Sequence, residues 1–112
     1  MSPITTHVLD TSLGKPASGV PISLEREIKG QWKPLGQGIT NSDGRLADIL
    51  PEGPLEAGTY RMTFDTGAYF HARKTETFYP VVKVEFEIRD PSKHYHIPLL
   101  LSPYGYSTYR GS

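Results

Sequence analysis

Three of the four histidines in the chain lie in segments whose residues alternate as they do in a β-strand. His7 lies in ITTHVLD, and His94 and His96 lie in HYHIPLLLS, where alternation puts both on the same face. An imidazole can accept and donate protons near neutral pH. Two kinds of chemistry therefore fit: acid–base catalysis by the histidines alone, or activation of water by a zinc ion bound to His7, His94 and His96.

The zinc hypothesis lacks a supporting carboxylate. A metal-bound imidazole usually donates its other N–H group to a carboxylate, and none stands out beside these histidines. The H-Y-H spacing is a weak signal, and a single strand histidine is most simply interpreted as a hydrogen-bonded structural residue. The chain has no Cys, which excludes disulfides, thiol catalysis and zinc sites built from Cys. His71 lies in a segment with helical spacing and is interpreted as a surface residue.

The last eleven residues, SPYGYSTYRGS, are unusually aromatic for the end of a domain. They contain three tyrosines, two glycines and one arginine. Domain ends are usually polar and fray, so their loss costs little. The composition of this segment instead indicates order, and it raises the question of what the final residues Tyr109, Arg110, Gly111 and Ser112 do.

Size and charge limit the classes of function. The chain has 112 residues, enough for a single domain over 1–112, and its 12 basic and 12 acidic residues give zero net charge. Zero net charge argues against binding to nucleic acid or to an anionic membrane. MSPITTHVLD does not resemble a signal peptide, and no apolar run approaches membrane-spanning length. We therefore predict a cytoplasmic protein, or a periplasmic one if a signal peptide has been removed.

Ten Pro and eleven Gly separate short alternating runs, a pattern typical of an all-β sandwich or barrel. One short α-helix is predicted over GAYFHARK, capped by Asp65 or Thr66. In NSDG, Gly44 supplies the positive φ of a tight turn. The predicted strands, about eight in number, lie in ITTHVLD, VPISLERE, WKPLGQGIT, RLADIL, TYRMTFDT, VVKVEFEIRD, HYHIPLLLS and YGYSTYRG.

The chain resembles the 5-hydroxyisourate hydrolases, the enzyme branch of the transthyretin family, over essentially its full length. The matching segments are THVLDTSLGKPASGVPISLER, GITNSDGRL, GTYRMTFDTGAYF, FYPVVKVEFEI and, most specifically, HYHIPLLLSPYGYSTYRGS. Hydrolases of this family end in a Tyr-Arg-Gly-Ser type tetrapeptide, which the hormone-carrying transthyretins lack. The resemblance implies a prealbumin-like sandwich of two four-stranded sheets with one short α-helix, assembled as a homotetramer that is a dimer of dimers.

The same resemblance implies hydrolysis of 5-hydroxyisourate, the unstable product of urate oxidation, to 2-oxo-4-hydroxy-4-carboxy-5-ureidoimidazoline in purine degradation, without cofactor or metal. It makes His7, Arg45 and His96 catalytic, and makes His7, Arg45, Tyr109 and Ser112 substrate-binding. Opening a ring amide needs a base for water, an acid for the leaving nitrogen and stabilisation of negative charge. His7 and His96 fit the first two roles in either order, and Arg45 fits the third.

Two alternatives stay open at this point: a zinc-dependent cyclic-amide hydrolase using His7, His94 and His96, and a non-enzymatic prealbumin-like module that binds a small molecule. The histidine pair and the intact C-terminal tetrapeptide argue against the module. Strand parity predicts that His7, His96 and Tyr109 share one sheet face. Since such a face is too shallow to enclose a ligand, we expect a second copy of the chain to complete the cleft. His94 and His71 are expected to contribute much less.

Overall fold

The structure, a computed structural model, describes residues 2–112. Its strands are β1 Ile4–Asp10, β2 Lys15–Pro16, β3 Pro21–Ile28, β4 Gln31–Ile39, β5 Arg45–Leu46, β6 Gly58–Phe64, β7 Val82–Ile88, β8 Tyr95–Ser102 and β9 Gly105–Thr108, and its helix is α1 Thr66–Ala72. These strands form two sheets, so the predicted all-β sandwich with one short helix is confirmed. Over the described range, no helix has the length and hydrophobicity needed to cross a bilayer.

The two sheets differ in how many strands they contain. The second sheet has the expected four, in the order β4-β3-β6-β7 and all antiparallel. The first sheet has the order β2-β1-β8-β9, with β5 pairing to β1 as a fifth strand. β1 and β8 run parallel, whereas the other pairs of this sheet are antiparallel. Two of the five strands, β2 and β5, are only two residues long.

The strand predicted over RLADIL is reduced to Arg45–Leu46, because only these residues pair with β1. Ala47 then accepts a hydrogen bond from the backbone of Ser2, and the chain enters a loop that contains two prolines and a glycine between residues 51 and 54. Proline cannot donate to a sheet ladder, so the strand cannot continue through this loop. β2 was missed because its two residues lie in LGKPASG, which reads as a turn.

The hydrophobic core lies between the sheets. It is built from alternate residues of each strand, because successive side chains point to opposite faces of a sheet. The fully buried apolar side chains include Ile4, Val8, Leu24, Met62, Phe64, Phe70, Val82, Ile88, Leu99 and Leu101. Each stabilises the fold by about 1.5–3 kcal/mol relative to an exposed position. Because this core takes one face of β1 and β8, the alternate residues of both strands are left on the outer face of the first sheet.

The helix begins where the sequence predicts. Of the two candidate caps, Asp65 is the one used: its Oδ1 accepts a hydrogen bond from the backbone N–H of Ala68 at 3.1 Å. Gly67 follows in the first turn, where a Cβ atom would lie 2.7 Å from the carbonyl oxygen of Pro80. The helix buries Tyr69 and Phe70 against the core.

A buried carboxylate ties the first sheet to the helix. Asp10, at the end of β1, is only 1% exposed. Its Oδ2 accepts a hydrogen bond from the hydroxyl of Tyr69 at 2.7 Å, and its Oδ1 accepts from the backbone of Ser12 and Leu13. Burial raises the pKa of Asp10, but the hydrogen bonds from Ser12, Tyr69 and the backbone outweigh burial and lower it. Burial and the neighbouring carboxylate raise the pKa of Tyr69 to about 12.

We expect Tyr69→Phe to lower the free energy of unfolding by about 1–3 kcal/mol, since a buried charged acceptor loses its donor. The pKa of Asp10 is lowered in the folded state, so its contribution is present above the usual Asp value near pH 4 and is lost as the pH falls through the folded value. The difference in the free energy of unfolding between the original protein and Tyr69→Phe should therefore become smaller in acid. Urea denaturation at several pH values measures both effects.

Tyr106→Phe is the matched control, because Tyr106 is an exposed tyrosine whose ring contacts Tyr79. This change should leave stability within about 0.5 kcal/mol of the original. Equal stability of the Tyr69→Phe and Tyr106→Phe proteins would contradict the role assigned to the Asp10 carboxylate.

Candidate active site

The outer face of the first sheet brings together three of the residues that the sequence singled out. His7 in β1 pairs with Arg45 in β5 on one side and with Pro98 in β8 on the other. Two pairs further along, Thr5 of β1 faces His96 of β8. Residues directly opposite each other in neighbouring strands project from the same face. The outer face therefore carries two short rows of side chains: one contains Arg45, His7 and Pro98, and the other contains Thr5 and His96. His7 and His96 thus share a face, as the parity of the strands predicted.

His96 lies close to three basic side chains, those of Arg45, His7 and His94. The ring is half-buried, and burial is the largest of the effects that lower its pKa. The positive charges of Arg45, His7 and His94 lower the pKa further. Both causes disfavour the imidazolium, so His96 is held neutral near pH 7 and can accept a proton there.

One residue of the site escaped the sequence analysis. Thr5 is 6% exposed, and its Oγ1 lies 2.8 Å from Nδ1 of His96 and 2.9 Å from Nε2 of His94. The two histidines thus share one face, as predicted, and a single hydroxyl joins them. Strand parity does put Thr5 on the same face as His7, but only the pairing of β1 with β8 reveals its neighbours.

The C-terminal segment folds back onto β8. The backbone N–H of Gly111 donates a hydrogen bond to the carbonyl oxygen of His96 at 2.9 Å, which forms an isolated antiparallel bridge. The guanidinium of Arg110 lies over the ring of Tyr95, 4.6 Å from its centre, in a cation–π contact. These contacts fix the last residues on the sheet, in agreement with the order that their composition indicated.

Gly111 has a structural reason to lack a side chain. A Cβ atom at this position would lie 2.6 Å from Cδ2 of His96 and 3.1 Å from Cγ of Pro98. The family resemblance implies that this segment belongs to the active site, and the group that Gly111 contacts there is the imidazole of His96. The backbone of the terminal segment therefore packs directly against this ring.

Tyr109 and Ser112 lie near the rows but are less enclosed. Tyr109 falls between Ser107, which pairs with Leu100, and Gly111, so alternation places it on the same face. It is 59% exposed, and Ser112 is also exposed. Tyr109 and His96 line a cleft of about 260 Å³ between β7 and β8, but neither His7 nor Arg45 lines it.

The remaining candidates are a metal site and the fourth histidine. In the part of the chain that the structure describes, no three His, Asp or Glu side chains are arranged so that they could hold a metal ion. The trio His7, His94 and His96 thus gains no geometric support as a zinc site. His71 is exposed on α1, which agrees with its interpretation as a surface residue.

Comparison with known proteins settles the family. The model of the HIUase/Transthyretin family matches residues 4–111. The chain belongs to the HIUase/Transthyretin family. A relative from Salmonella dublin, named 5-hydroxyisourate hydrolase, is 49% identical over 97% of this chain and 80% of its own length. A relative of the same name from Mus musculus is 47% identical over 99% of this chain and 96% of its own length.

Solved structures show that hydrolases and carriers in this family share one fold. The 5-hydroxyisourate hydrolase of Klebsiella pneumoniae superposes with a TM-score of 0.85 at 41% identity, covering 97% of this chain and 98% of its own. Sea bream transthyretin in complex with thyroxine gives a TM-score of 0.91 at only 32% identity, with 97% and 94% covered. Backbone similarity therefore does not separate the two branches, so the difference between them must come from the side chains.

We expect Gly111→Ala to displace the His96 ring, because the added methyl group would overlap Cδ2 of this ring. The backbone of residue 111 cannot move away, since its bridge to the backbone of His96 holds it in place. The imidazole NMR signals of His96 should shift, while the thermal midpoint changes little. Gly105→Ala is the matched control, since its Cβ would meet only Ser102 Oγ, at 3.7 Å. Unchanged His96 signals in the Gly111→Ala protein would refute the direct packing.

Proposed function

We propose that this protein opens 5-hydroxyisourate with water to give 2-oxo-4-hydroxy-4-carboxy-5-ureidoimidazoline, a step of urate degradation. The observation that carries the proposal is the row arrangement of His7, Arg45 and His96 on one sheet face, in a chain 47–49% identical to proteins named 5-hydroxyisourate hydrolase. The chain is a hydrolase: relatives with that name match 97% or more of it.

His96 is the base in this proposal. Its ring is held neutral by burial and by the charges of Arg45, His7 and His94, so it can take a proton from water as the oxygen attacks the ring carbonyl carbon. His7 is the acid. It donates a proton to the ring nitrogen when the C–N bond breaks, so that this nitrogen leaves as a neutral ureido N–H. The sequence left the order of these two roles open, and the lowered pKa of His96 favours this one.

Arg45 stabilises negative charge in this mechanism. Its guanidinium offers a planar fork of donors to the oxyanion that forms on the attacked carbonyl, or to an anionic substrate. The pairing of Arg45 with His7 puts this charge beside the acid, on the strand edge away from β8. Tyr109 and Ser112 bind the substrate from the terminal segment, on the opposite side of the rows. We assign no metal or cofactor to the reaction.

A second copy of the chain completes the site in this proposal. Arg45 and Tyr109 are exposed, and the cleft beside His96 includes neither Arg45 nor His7, so one chain does not enclose a small substrate. Leu9 and Leu100 pair with each other on the same outer face and offer apolar surface to a partner. Two such faces related by symmetry form a cleft, which fits a homotetramer built as a dimer of dimers. We place this tetramer in the cytoplasm.

Replacement of the proposed catalytic residues should abolish most activity without unfolding the protein. We expect His7→Ala, Arg45→Ala and His96→Ala each to lower the rate roughly 100- to 10,000-fold, as is typical when a positioned acid–base or charge-stabilising group is lost. His71→Ala is the control, because this exposed helix residue should leave the rate unchanged. The assay follows the decay of freshly made 5-hydroxyisourate with and without protein. No acceleration by the original protein would refute the proposed function.

Removal of residues 109–112 should damage catalysis far more than stability. The segment packs on His96 through Gly111 and contributes Tyr109 to the site, but it contains none of the fully buried core residues. We expect a rate loss of at least about 100-fold and a thermal midpoint within a few degrees of the original, as for the loss of a peripheral segment. Turnover and thermal unfolding of the shortened protein test this. A shortened protein with full activity would show that the segment only packs.

A further inference from the structure

We infer that Thr5 and His94 are positioning residues, which hold the His96 imidazole in the tautomer with hydrogen on Nδ1 and a free lone pair on Nε2. This inference extends the proposed function, in which His96 accepts a proton from water. His94 lies just outside β8 and is exposed, whereas Thr5 is almost fully buried between the two rings.

The hydroxyl of Thr5 can donate only one hydrogen bond, although it can accept others. Its two ring partners are Nδ1 of His96 at 2.8 Å and Nε2 of His94 at 2.9 Å. Because the hydroxyl has only one hydrogen, the two nitrogens cannot both accept from it, so at least one of the two rings must donate to Thr5. The tautomer of His96 therefore depends on whether its Nδ1 donates to the hydroxyl of Thr5 or accepts from it.

The surroundings of His96 favour one direction. Burial and the nearby charges lower the pKa of His96, whereas the backbone of Thr5 raises it and so favours the protonated ring. A backbone group has that effect when its carbonyl oxygen accepts from a ring N–H, so the side of the ring that faces Thr5 bears a hydrogen. Nδ1 of His96 then donates to Thr5, and the hydroxyl of Thr5 has its own hydrogen available for Nε2 of His94.

The consequence is a base that is ready before the substrate binds. With hydrogen on Nδ1, the free electron pair of neutral His96 is on Nε2, the nitrogen that does not face Thr5. Gly111 packs against Cδ2, the carbon next to Nε2, and so limits rotation of the ring from the other side. The charged and titratable groups that face this ring are Arg45 from β5, His7 from β1 and His94 before β8.

The decisive measurement is the tautomer of His96, read from long-range ¹H–¹⁵N NMR spectra near neutral pH without substrate. We expect hydrogen on Nδ1 in the original protein and a mixture of tautomers in Thr5→Val, which keeps the shape of the side chain but removes the hydroxyl. Thr5→Ser should restore the original spectrum. Hydrogen on Nε2 in the original protein, or an unchanged spectrum in Thr5→Val, would overturn the inference.

Kinetics provide the second measurement. Thr5→Val and His94→Ala should each lower kcat about 10-fold with little change in KM, the size expected for one lost hydrogen bond. Thr5→Ser should recover most of the rate. Because His94 is exposed, His94→Ala tests the chain of hydrogen bonds even if a change at buried Thr5 prevents folding. Original kcat in a folded Thr5→Val or His94→Ala protein would overturn the positioning role.

The two measurements separate this inference from the function on which it rests. If the original protein does not accelerate decay of 5-hydroxyisourate, the proposed function fails, and the NMR spectra still decide whether Thr5 fixes the tautomer. If the original protein is active but its His96 bears hydrogen on Nε2, the function stands and the inference fails.

Discussion

The parallel pairing of β1 with β8 is the contact on which the site depends. It joins segments about 90 residues apart in sequence and places Thr5 opposite His96 and His7 opposite Pro98. A shift of one residue in this register would send the histidines of one strand into the core and its apolar residues to the surface. The buried side chains of both strands, such as Val8 and Leu99, resist that shift. The hydrophobic core thus fixes the geometry of a polar site on the opposite face.

Every other part of the site is attached to this pair of strands. β5 adds Arg45 to the free edge of β1, and β9 turns the chain so that Gly111 returns to His96. The tight fit of Gly111 against the imidazole explains how an apparently peripheral segment can restrict the ring that we propose as the base. Asp10 then fixes the end of β1 to the helix through Tyr69, so the first sheet does not depend on the core alone for its position.

A 5-hydroxyisourate hydrolase and a transthyretin that binds thyroxine have the same backbone fold, as the similar superpositions on both show. The difference between the branches must therefore be in side chains that the core does not constrain. The outer face of the first sheet is such a place, because exchanging a half-buried polar residue there leaves the sandwich intact. A histidine with a lowered pKa beside an arginine has little value for a passive binding surface, but it suits proton transfer.

The sequence by itself determined the alternation of each long strand, the start of the helix at Asp65 and the shared face of His7 and His96, because these features depend on the local period of the backbone. It did not predict the short strand β2, the end of β5 after only two residues, or the hydrogen bonds of Thr5. Two-residue strands have no period to detect, and the neighbours of Thr5 come from a segment about 90 residues away. Only the tertiary structure decided which strands pair and in what register, since that choice depends on packing over the whole chain.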